Sequence, residues 1–211
     1  MDLSITLIII IITVAASFYA WNNQTIFQKW ILNPYTVHRR KEYHRLITSG
    51  FIHNDYMHLL FNMLALYFFG ELVEKTYIYT FGNLGIVLYI ALYIVGIIAS
   101  DLPTYLKHKN HAYYNSLGAS GGVSAVVFSS ILFYPTEKIC VYFVFCLSSF
   151  IFGGLYILYS YIQAKKGGDY INHDAHLYGA VFGIVFSILI MPSVIVSFFE
   201  QVSNWRITDL F

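Results

Sequence analysis

The chain has 211 residues, of which 58% are hydrophobic and only 11% charged, and its formal net charge at pH 7 is +1. A typical soluble domain carries about 25% charged residues, so this composition excludes an ordinary soluble protein and indicates an integral membrane protein. The small net charge gives no electrostatic basis for nucleic-acid binding. One domain, covering residues 1–211, is the expectation for this length.

Six apolar segments follow one another along the chain. A membrane-spanning helix needs about 20 mostly apolar residues. The segments are Ser4–Trp21, Met57–Val73, Phe81–Ser100, Gly118–Phe133, Ile139–Gln163 and Ala175–Phe198. No alternating pattern of the kind that builds an outer-membrane barrel is present. We therefore predict an all-α, polytopic bundle of six transmembrane helices in a lipid bilayer.

The polar stretch between the first two apolar segments, Asn22–His44, mixes aromatic side chains with lysine and arginine. It is too polar to span a membrane and too aromatic for a simple linker. We predict an interfacial element that lies against the lipid headgroups.

The second apolar segment contains His58 and Asn62, four residues apart. On a helix this spacing places both side chains on one face. Polar groups at membrane depth are costly and usually face a polar cavity or one another. The pair therefore indicates either an inward-facing functional surface or two side chains that satisfy each other between helices.

The third segment has few polar side chains, and we expect its role to be structural. The fourth begins with the glycine-rich sequence Gly118–Gly122, which places Ser120 in the first turn of a predicted helix. Helix N-termini present unpaired N–H groups and partial positive charge, so an anion developing there meets hydrogen-bond donors. Ser120 is a candidate nucleophile. The alternative is that these small residues only allow close helix packing.

The fifth segment is aromatic and uncharged, and it indicates no chemistry. Its two cysteines, Cys140 and Cys146, are expected to be small buried hydrophobic residues rather than a disulfide. The loop that follows, 164–174, contains Gly167 and Gly168 and is a candidate hinge or flap over a site.

The sixth segment begins near His176, one turn before Gly179 and Gly183. A pair of glycines four residues apart lets a neighbouring helix backbone approach closely. If that neighbour is the helix that starts at Ser120, the serine and the imidazole lie at the same depth.

Three motifs in this order resemble those of the rhomboid intramembrane serine proteases. They are His53-x4-His58-Leu59-x2-Asn62 in the second segment, Gly118-Ala119-Ser120-Gly121 in the fourth, and Ala175-His176-x2-Gly179-x3-Gly183 in the sixth. The resemblance covers the chain from about Trp30 to the end of the sixth segment. It implies a serine endopeptidase that cleaves transmembrane or juxtamembrane segments of other membrane proteins and uses no cofactor or metal.

The resemblance also implies a role for each matching residue. Ser120 is then the nucleophile and His176 its general base. His58 and Asn62 join the Ser120 N–H as the oxyanion hole. Structural support comes from Arg45, His53, Gly118, Gly121, Gly179 and Gly183. The loop ending near Asp174 and the fifth helix form a cap and gate. Hydrolysis also needs water, and we expect polar side chains at the helix ends to keep the cavity wet, namely His53, His58, Asn62, Asn115, Asn172 and His173.

Two positions depart from the family pattern. His44 stands where tryptophan commonly precedes the loop arginine, which affects the packing of the first loop. Ser124 stands one turn after the serine, where the family often has a tyrosine or phenylalanine that supports the catalytic imidazole. Another group must therefore orient His176, either an aromatic side chain elsewhere or Ser124 itself.

The distribution of basic residues conflicts with the family topology. The family implies a bacterial inner membrane with the site opening to the extracytoplasmic side. The positive-inside rule favours the opposite orientation, because nine of the 12 Lys and Arg residues lie on the predicted site face. These nine are Lys29, Arg39, Arg40, Lys41, Arg45, Lys107, Lys109, Lys165 and Lys166. We retain the family orientation, since much of the first loop is expected to pack as structure.

Two other functions compete with proteolysis. One is a non-catalytic rhomboid relative that binds or escorts membrane proteins, although such relatives usually lose the serine or the histidine. The other is a histidine-ligated membrane metalloenzyme, because the eight histidines superficially resemble the ligand sets of such enzymes. Such sites need many converging ligands, and the chain has no His-His pair. The chain also lacks the His-Glu-x-x-His motif of a zinc protease.

Overall fold

The computed structural model describes residues 4–141, 145–166 and 172–206. This part of the chain forms ten α-helices and one small β-hairpin. The helices are α1 (Ile5–Trp21), α2 (Gln24–Trp30), α3 (Pro34–Arg40), α4 (Arg45–Thr48), α5 (Tyr56–Phe81), α6 (Asn83–His108), α7 (Ser120–Phe133), α8 (Ser149–Lys166), α9 (His173–Ile190) and α10 (Ser193–Asn204). The hairpin pairs β1 (Lys138–Val141) with β2 (Phe145–Ser148) in antiparallel register.

Three of these helices, α5, α6 and α9, are long and apolar enough to cross a membrane. Two further apolar helices, α1 and α7, have 17 and 14 residues. The predicted all-α class is therefore confirmed, and three of the described helices meet the length and composition of a membrane span. Helices α5 and α6 are both 26 residues long, well beyond the predicted segments. Helix α6 continues to His108, past the predicted end of the third segment at Ser100.

Helix α7 lies at the centre of the bundle. Every residue from Gly121 to Leu132 is buried, and α5, α6, α8 and α9 all pack against it. Small residues allow this close packing. A Cβ built on Gly122 would lie 2.9 Å from the backbone carbonyl oxygen of Tyr93 on α6. The helix that carries the candidate nucleophile is thus held on all sides.

Glycines also bring α9 against α7. A Cβ built on Gly179 would overlap the backbone carbonyl group of Gly121, and one built on Gly183 would overlap that of Ala125. The two helices are therefore in backbone contact over a full turn, as the spacing of these glycines predicts.

The fifth segment differs from its prediction. A single helix over Ile139–Gln163 is wrong, because Lys138–Val141 and Phe145–Ser148 are strands and α8 begins only at Ser149. Hydropathy does not distinguish a short apolar strand from part of a helix. Ile139 and Val141 are β-branched and suit a strand.

The cysteine prediction is also wrong. Cys140 and Cys146 face each other across the hairpin and form a disulfide. Cys140 is exposed rather than buried.

The sixth segment is two helices rather than one. Helix α9 ends at Ile190 and α10 starts after Pro192. Proline lacks a backbone N–H and cannot continue a helix without distortion, so the predicted helix Ala175–Phe198 breaks there.

The first polar stretch folds into the short helices α2 and α3. Leu32, in the short connection between them, is fully buried. Its backbone exchanges two hydrogen bonds with Ser116, at 3.0 and 2.9 Å. This pairing ties the first loop to the segment that leads into Ser120.

Candidate active site

A cavity of about 1160 Å³ opens between the ends of α5, α6, α7, α8 and α9. Its lining includes four predicted chemical residues, Ser120, His176, His58 and Asn62. Two predicted support residues, Gly118 and Gly121, line it as well, as do Asn115, Asn172 and His173. The fold therefore brings together residues that lie far apart in the sequence.

Ser120 is the first residue of α7 and is half-buried in the cavity wall. The chain enters the helix through Gly118, whose φ is +119°. A Cβ at Gly118 would lie 2.6 Å from Cε1 of His58. Both facts require glycine here, because other residues rarely adopt this backbone conformation and have no room for a side chain. The predicted support role of Gly118 thus has a physical basis.

His53 holds the backbone next to the serine. The Ala119 N–H donates to Nε2 of His53 at 3.2 Å. Nδ1 therefore carries the ring hydrogen and donates to the Ser17 hydroxyl oxygen at 3.1 Å, and that hydroxyl donates to the Phe51 carbonyl oxygen. Burial lowers the pKa of His53 to about 3, so the ring stays neutral. His53 is fully buried, and it uses both nitrogens within the protein rather than in keeping the cavity wet.

His58 and Asn62 occupy one face of α5, as their spacing predicts. Asp55 caps this helix by accepting the His58 N–H at 2.9 Å. The Asn62 side-chain nitrogen donates to the His58 carbonyl oxygen, also at 2.9 Å. An amide nitrogen carries two hydrogens, so its second N–H remains for the cavity that Asn62 lines.

His176 lies in the first turn of α9, and Asn172 fixes the start of that helix. The Asn172 side-chain oxygen accepts the Ala175 N–H at 3.1 Å. Its amide nitrogen donates to Thr104 and to Ser116, both at 3.0 Å. Asn172 thereby joins α9 to α6 and to the segment before Ser120. Together with the contact between Gly179 and Gly121, this places His176 and Ser120 at the same end of the bundle.

Tyr156 on α8 also lines the cavity, and the sequence analysis did not predict a role for it. Its ring stacks on His176 with ring centroids 6.1 Å apart and planes 25° from parallel. Its hydroxyl lies 2.9 Å from the Ser124 hydroxyl. The absence of an aromatic residue at position 124 showed that His176 needs another partner, but no sequence signal separates Tyr156 from the other aromatic residues of its segment.

Arg45 supports the first loop rather than the chemistry. Its guanidinium donates to the carbonyl oxygens of Gln28 and Ile31 at 2.7 and 2.8 Å. It also pairs with Glu42 at 2.7 Å, and this hydrogen bond lowers the pKa of the Glu42 carboxyl. His44, which replaces the family tryptophan, precedes α4 without a side-chain capping bond.

No group of three or more His, Cys, Asp or Glu side chains is arranged to hold a metal ion among the residues described above. The proposed hinge glycines, Gly167 and Gly168, lie outside the described residues.

Comparisons with known proteins bear on this arrangement. The Rhomboid domain family matches residues 40–193. From Arabidopsis thaliana, RHOMBOID-like protein 12, mitochondrial, is 27% identical over 81% of this chain and 54% of its own length. Rhomboid-like protein 11, chloroplastic, is 31% identical over 74% of this chain and 55% of its length. Rhomboid-like protein 16, chloroplastic, is 28% identical over 71% of this chain and 50% of its length.

The chain spans about half the length of these curated relatives. Their names refer to mitochondria and chloroplasts, so they give no support to a bacterial inner membrane as the location. The family match covers most of the chain, from the first loop through α9, and includes all three motifs. The chain is an integral membrane protein that belongs to the rhomboid family.

Proposed function

We propose that this protein is a serine endopeptidase that cleaves membrane-embedded or juxtamembrane segments of other membrane proteins. The observation that carries the proposal is the shared cavity. Ser120 at a helix N-terminus, the imidazole of His176, and the side chains of Asn62 and His58 all line it. Family membership supports the same reading.

In the first step Ser120 is the nucleophile and His176 is the general base. A serine hydroxyl is a weak nucleophile until a positioned base takes its proton. As Oγ of Ser120 bonds to the scissile carbonyl carbon, its proton passes to the imidazole of His176. The carbonyl oxygen then carries the negative charge.

That oxyanion meets preorganised donors. Asn62 offers its second amide N–H, His58 its ring, and Ser120 its backbone N–H at the start of α7. Donors fixed before the reaction need no reorganisation and act most strongly where water is scarce. When the tetrahedral intermediate collapses, the C–N bond breaks and the leaving amine takes the proton from His176. Water then hydrolyses the acyl-enzyme with the same base.

The substrate is another transmembrane protein, and its cleaved segment must unwind locally. An intact helix keeps its carbonyl groups in hydrogen bonds and behind side chains. We therefore propose a preference for small residues at the cleaved bond, with helix-weakening Gly or Pro nearby. Equal cleavage of a uniform Leu-rich segment would contradict this preference.

We propose that six helices cross the bilayer, namely α1 and α5–α9, with the cavity at the extracytoplasmic end. The positive-inside count favours the reverse, and so does the disulfide at the opposite end of α7, since disulfides persist in oxidising compartments. One of the nine cations, however, serves structure, because Arg45 is only 7% exposed and donates to Glu42 and to two backbone carbonyl oxygens of the first loop.

Cleavage in liposomes tests the proposal. The purified protein is reconstituted with single-span substrates, and the products are identified by mass spectrometry. We expect one internal cut that disappears in Ser120→Ala and in His176→Ala. It should persist in Ser197→Ala, a matched control because Ser197 is exposed on α10. Substrate that cross-links to the protein but stays intact would instead support the non-catalytic binding function.

A further inference from the structure

We propose that Tyr156 is the positioning residue for the imidazole of His176, and that Ser124 is small because it receives the Tyr156 phenol. The inference rests on the proposed function, since it assigns support for the base of that reaction. It makes α8 a contributor to the site, although its segment indicated no chemistry.

The first observation is the stack between the two rings. The centroid distance of 6.1 Å and the interplanar angle of 25° describe an offset stack, within the 4.5–7 Å range that aromatic pairs favour. His173 meets the same imidazole edge-on, at 5.8 Å and 80°. A ring packed against a face of the imidazole limits the rotation of the histidine side chain.

The second observation is the bond between Tyr156 and Ser124. Their hydroxyl oxygens are 2.9 Å apart, and Ser124 is only 4% exposed. A buried tyrosine hydroxyl normally needs a hydrogen-bond partner. Ser124 lies four residues after Ser120, one turn deeper on the same face of α7. The phenol is therefore anchored directly beneath the candidate nucleophile.

Neighbouring rings hold Tyr156 in place. Phe128 on α7 lies 5.5 Å from its centroid and Phe152 on α8 lies 6.2 Å away. Since these contacts fix the phenol on several sides, it is preorganised before any substrate arrives. This is the property that a positioning residue requires.

The space next to position 124 holds only one large side chain. An aromatic side chain at position 124 would compete with the phenol for the same space, because the Tyr156 hydroxyl is within hydrogen-bond distance of Ser124. Well-packed interiors tolerate exchanges that conserve total volume far better than added bulk. The small residue on α7 and the large residue on α8 are thus a matched pair.

The matched pair suggests an exchange experiment. Four variants are compared with the wild type: Tyr156→Phe, Tyr156→Ala, Ser124→Tyr, and the double variant Ser124→Tyr with Tyr156→Ala. Leu155→Ala is the control, because Leu155 neighbours Tyr156 on α8 and is 54% exposed. The measured quantities are kcat, KM and the pH dependence of kcat/KM for a transmembrane substrate.

Tyr156→Phe keeps the stack but loses the bond to Ser124, so its kcat should fall by less than that of Tyr156→Ala. Tyr156→Ala should lower kcat by roughly 10- to 100-fold with little change in KM, as expected for a misplaced catalytic group, and should shift the pH profile of kcat/KM. Ser124→Tyr should have a lower kcat, because the new side chain collides with the Tyr156 phenol. The double variant should recover at least about tenfold over each single variant. Additive losses in the double variant, or wild-type kcat and pH profile in Tyr156→Ala, would overturn the proposal.

A measurement without turnover separates this inference from the proposed function. The His176 ring C–H resonance is followed by NMR in histidine-labelled protein. Loss of the stacked ring in Tyr156→Ala should shift it, whereas Leu155→Ala and Tyr156→Phe should leave it nearly unchanged. An unchanged resonance in Tyr156→Ala overturns the positioning role. If the resonance shifts but no serine-dependent cleavage is found, the positioning geometry stands and the proteolytic function fails.

Discussion

The side-chain amide of Asn62 donates a hydrogen bond to the carbonyl oxygen of His58, one turn earlier on α5, at 2.9 Å. This bond fixes the orientation of the amide group. It leaves one N–H of a buried side chain for the cavity next to Ser120. A donor held in this way suits an oxyanion that exists only during the reaction.

Replacing Asn62 by alanine should therefore slow the reaction. We expect kcat to fall by roughly 10²–10³, the range seen when one oxyanion-hole donor is removed, with a much smaller change in KM. Asn22→Ala is a matched control, because the Asn22 amide makes the same bond one turn back, to Phe18, but on an exposed surface. If Asn62→Ala turned over at a near-normal rate, the residue would serve packing alone. His58→Ala should change kcat in the same direction.

The contact between α7 and α9 predicts a strong effect at Gly183. A Cβ there would overlap the Ala125 carbonyl, so Gly183→Ala should push the two helices apart. We expect a loss of about 1–3 kcal/mol of stability, as for other overpacked interiors, and reduced cleavage. Thermal unfolding in detergent measures the first effect. Gly154→Ala is the control, since nothing lies within 4 Å of a Cβ there. Equal stability of the two variants would contradict the close approach.

His53 predicts a dependence of stability on pH. Its folded pKa of about 3 lies below the ordinary value of 6.5, so the unfolded chain binds a proton at a higher pH than the native protein. The contribution of His53 to the free energy of unfolding is at its full value above pH 6.5. It falls as the pH drops towards 3, by up to about 1.4 kcal/mol per pH unit.

The comparison of unfolding temperatures from pH 7.5 to 5 isolates this contribution. His53→Gln lacks a titrating ring, so its unfolding temperature should fall less steeply than that of the wild type. His44→Gln, at an exposed histidine, should keep the wild-type slope. Identical slopes for all three proteins would mean that His53 is not buried in its neutral form.

Local spacing predicts which residues of the candidate site share a helix face, whereas contacts between helices depend on long-range packing. His58 and Asn62 are four apart, and Gly179 and Gly183 repeat the same interval, so helical periodicity alone placed each pair on one face. Tyr156 had no such signal. Its relation to His176 and Ser124 depends on how α8 docks against α7 and α9, which no spacing within one segment encodes.

The hairpin shows the limit of hydropathy. The stretch from Ile139 to Ser148 is as apolar as the helix after it, so hydropathy alone predicts one span here. Whether its two halves pair as strands depends on tertiary packing and not on hydropathy. In the structure they pair in a register that places Cys140 opposite Cys146. Likewise, Pro192 ended the sixth helix although the apolar pattern continued beyond it.

Membrane orientation is tested with single cysteines at the two ends of the bundle. In a Cys140→Ser, Cys146→Ser background, Asn110→Cys reports on the site end and Glu137→Cys on the hairpin end; both positions are exposed. With the site on the extracytoplasmic side, a membrane-impermeant maleimide should label only Asn110→Cys on intact cells. Labelling of Glu137→Cys alone would show that the positive-inside count and the disulfide give the correct orientation.

The most direct test of the central claim is labelling of the purified, detergent-solubilised protein with a fluorophosphonate serine probe. The probe forms a covalent bond only with an activated hydroxyl, so it reports on the dyad without any knowledge of the substrate. The account predicts labelling of the wild type and of Ser197→Ala, and none of Ser120→Ala or His176→Ala. A well-folded wild type that takes up no probe, or a Ser120→Ala variant labelled as strongly as the wild type, would contradict it.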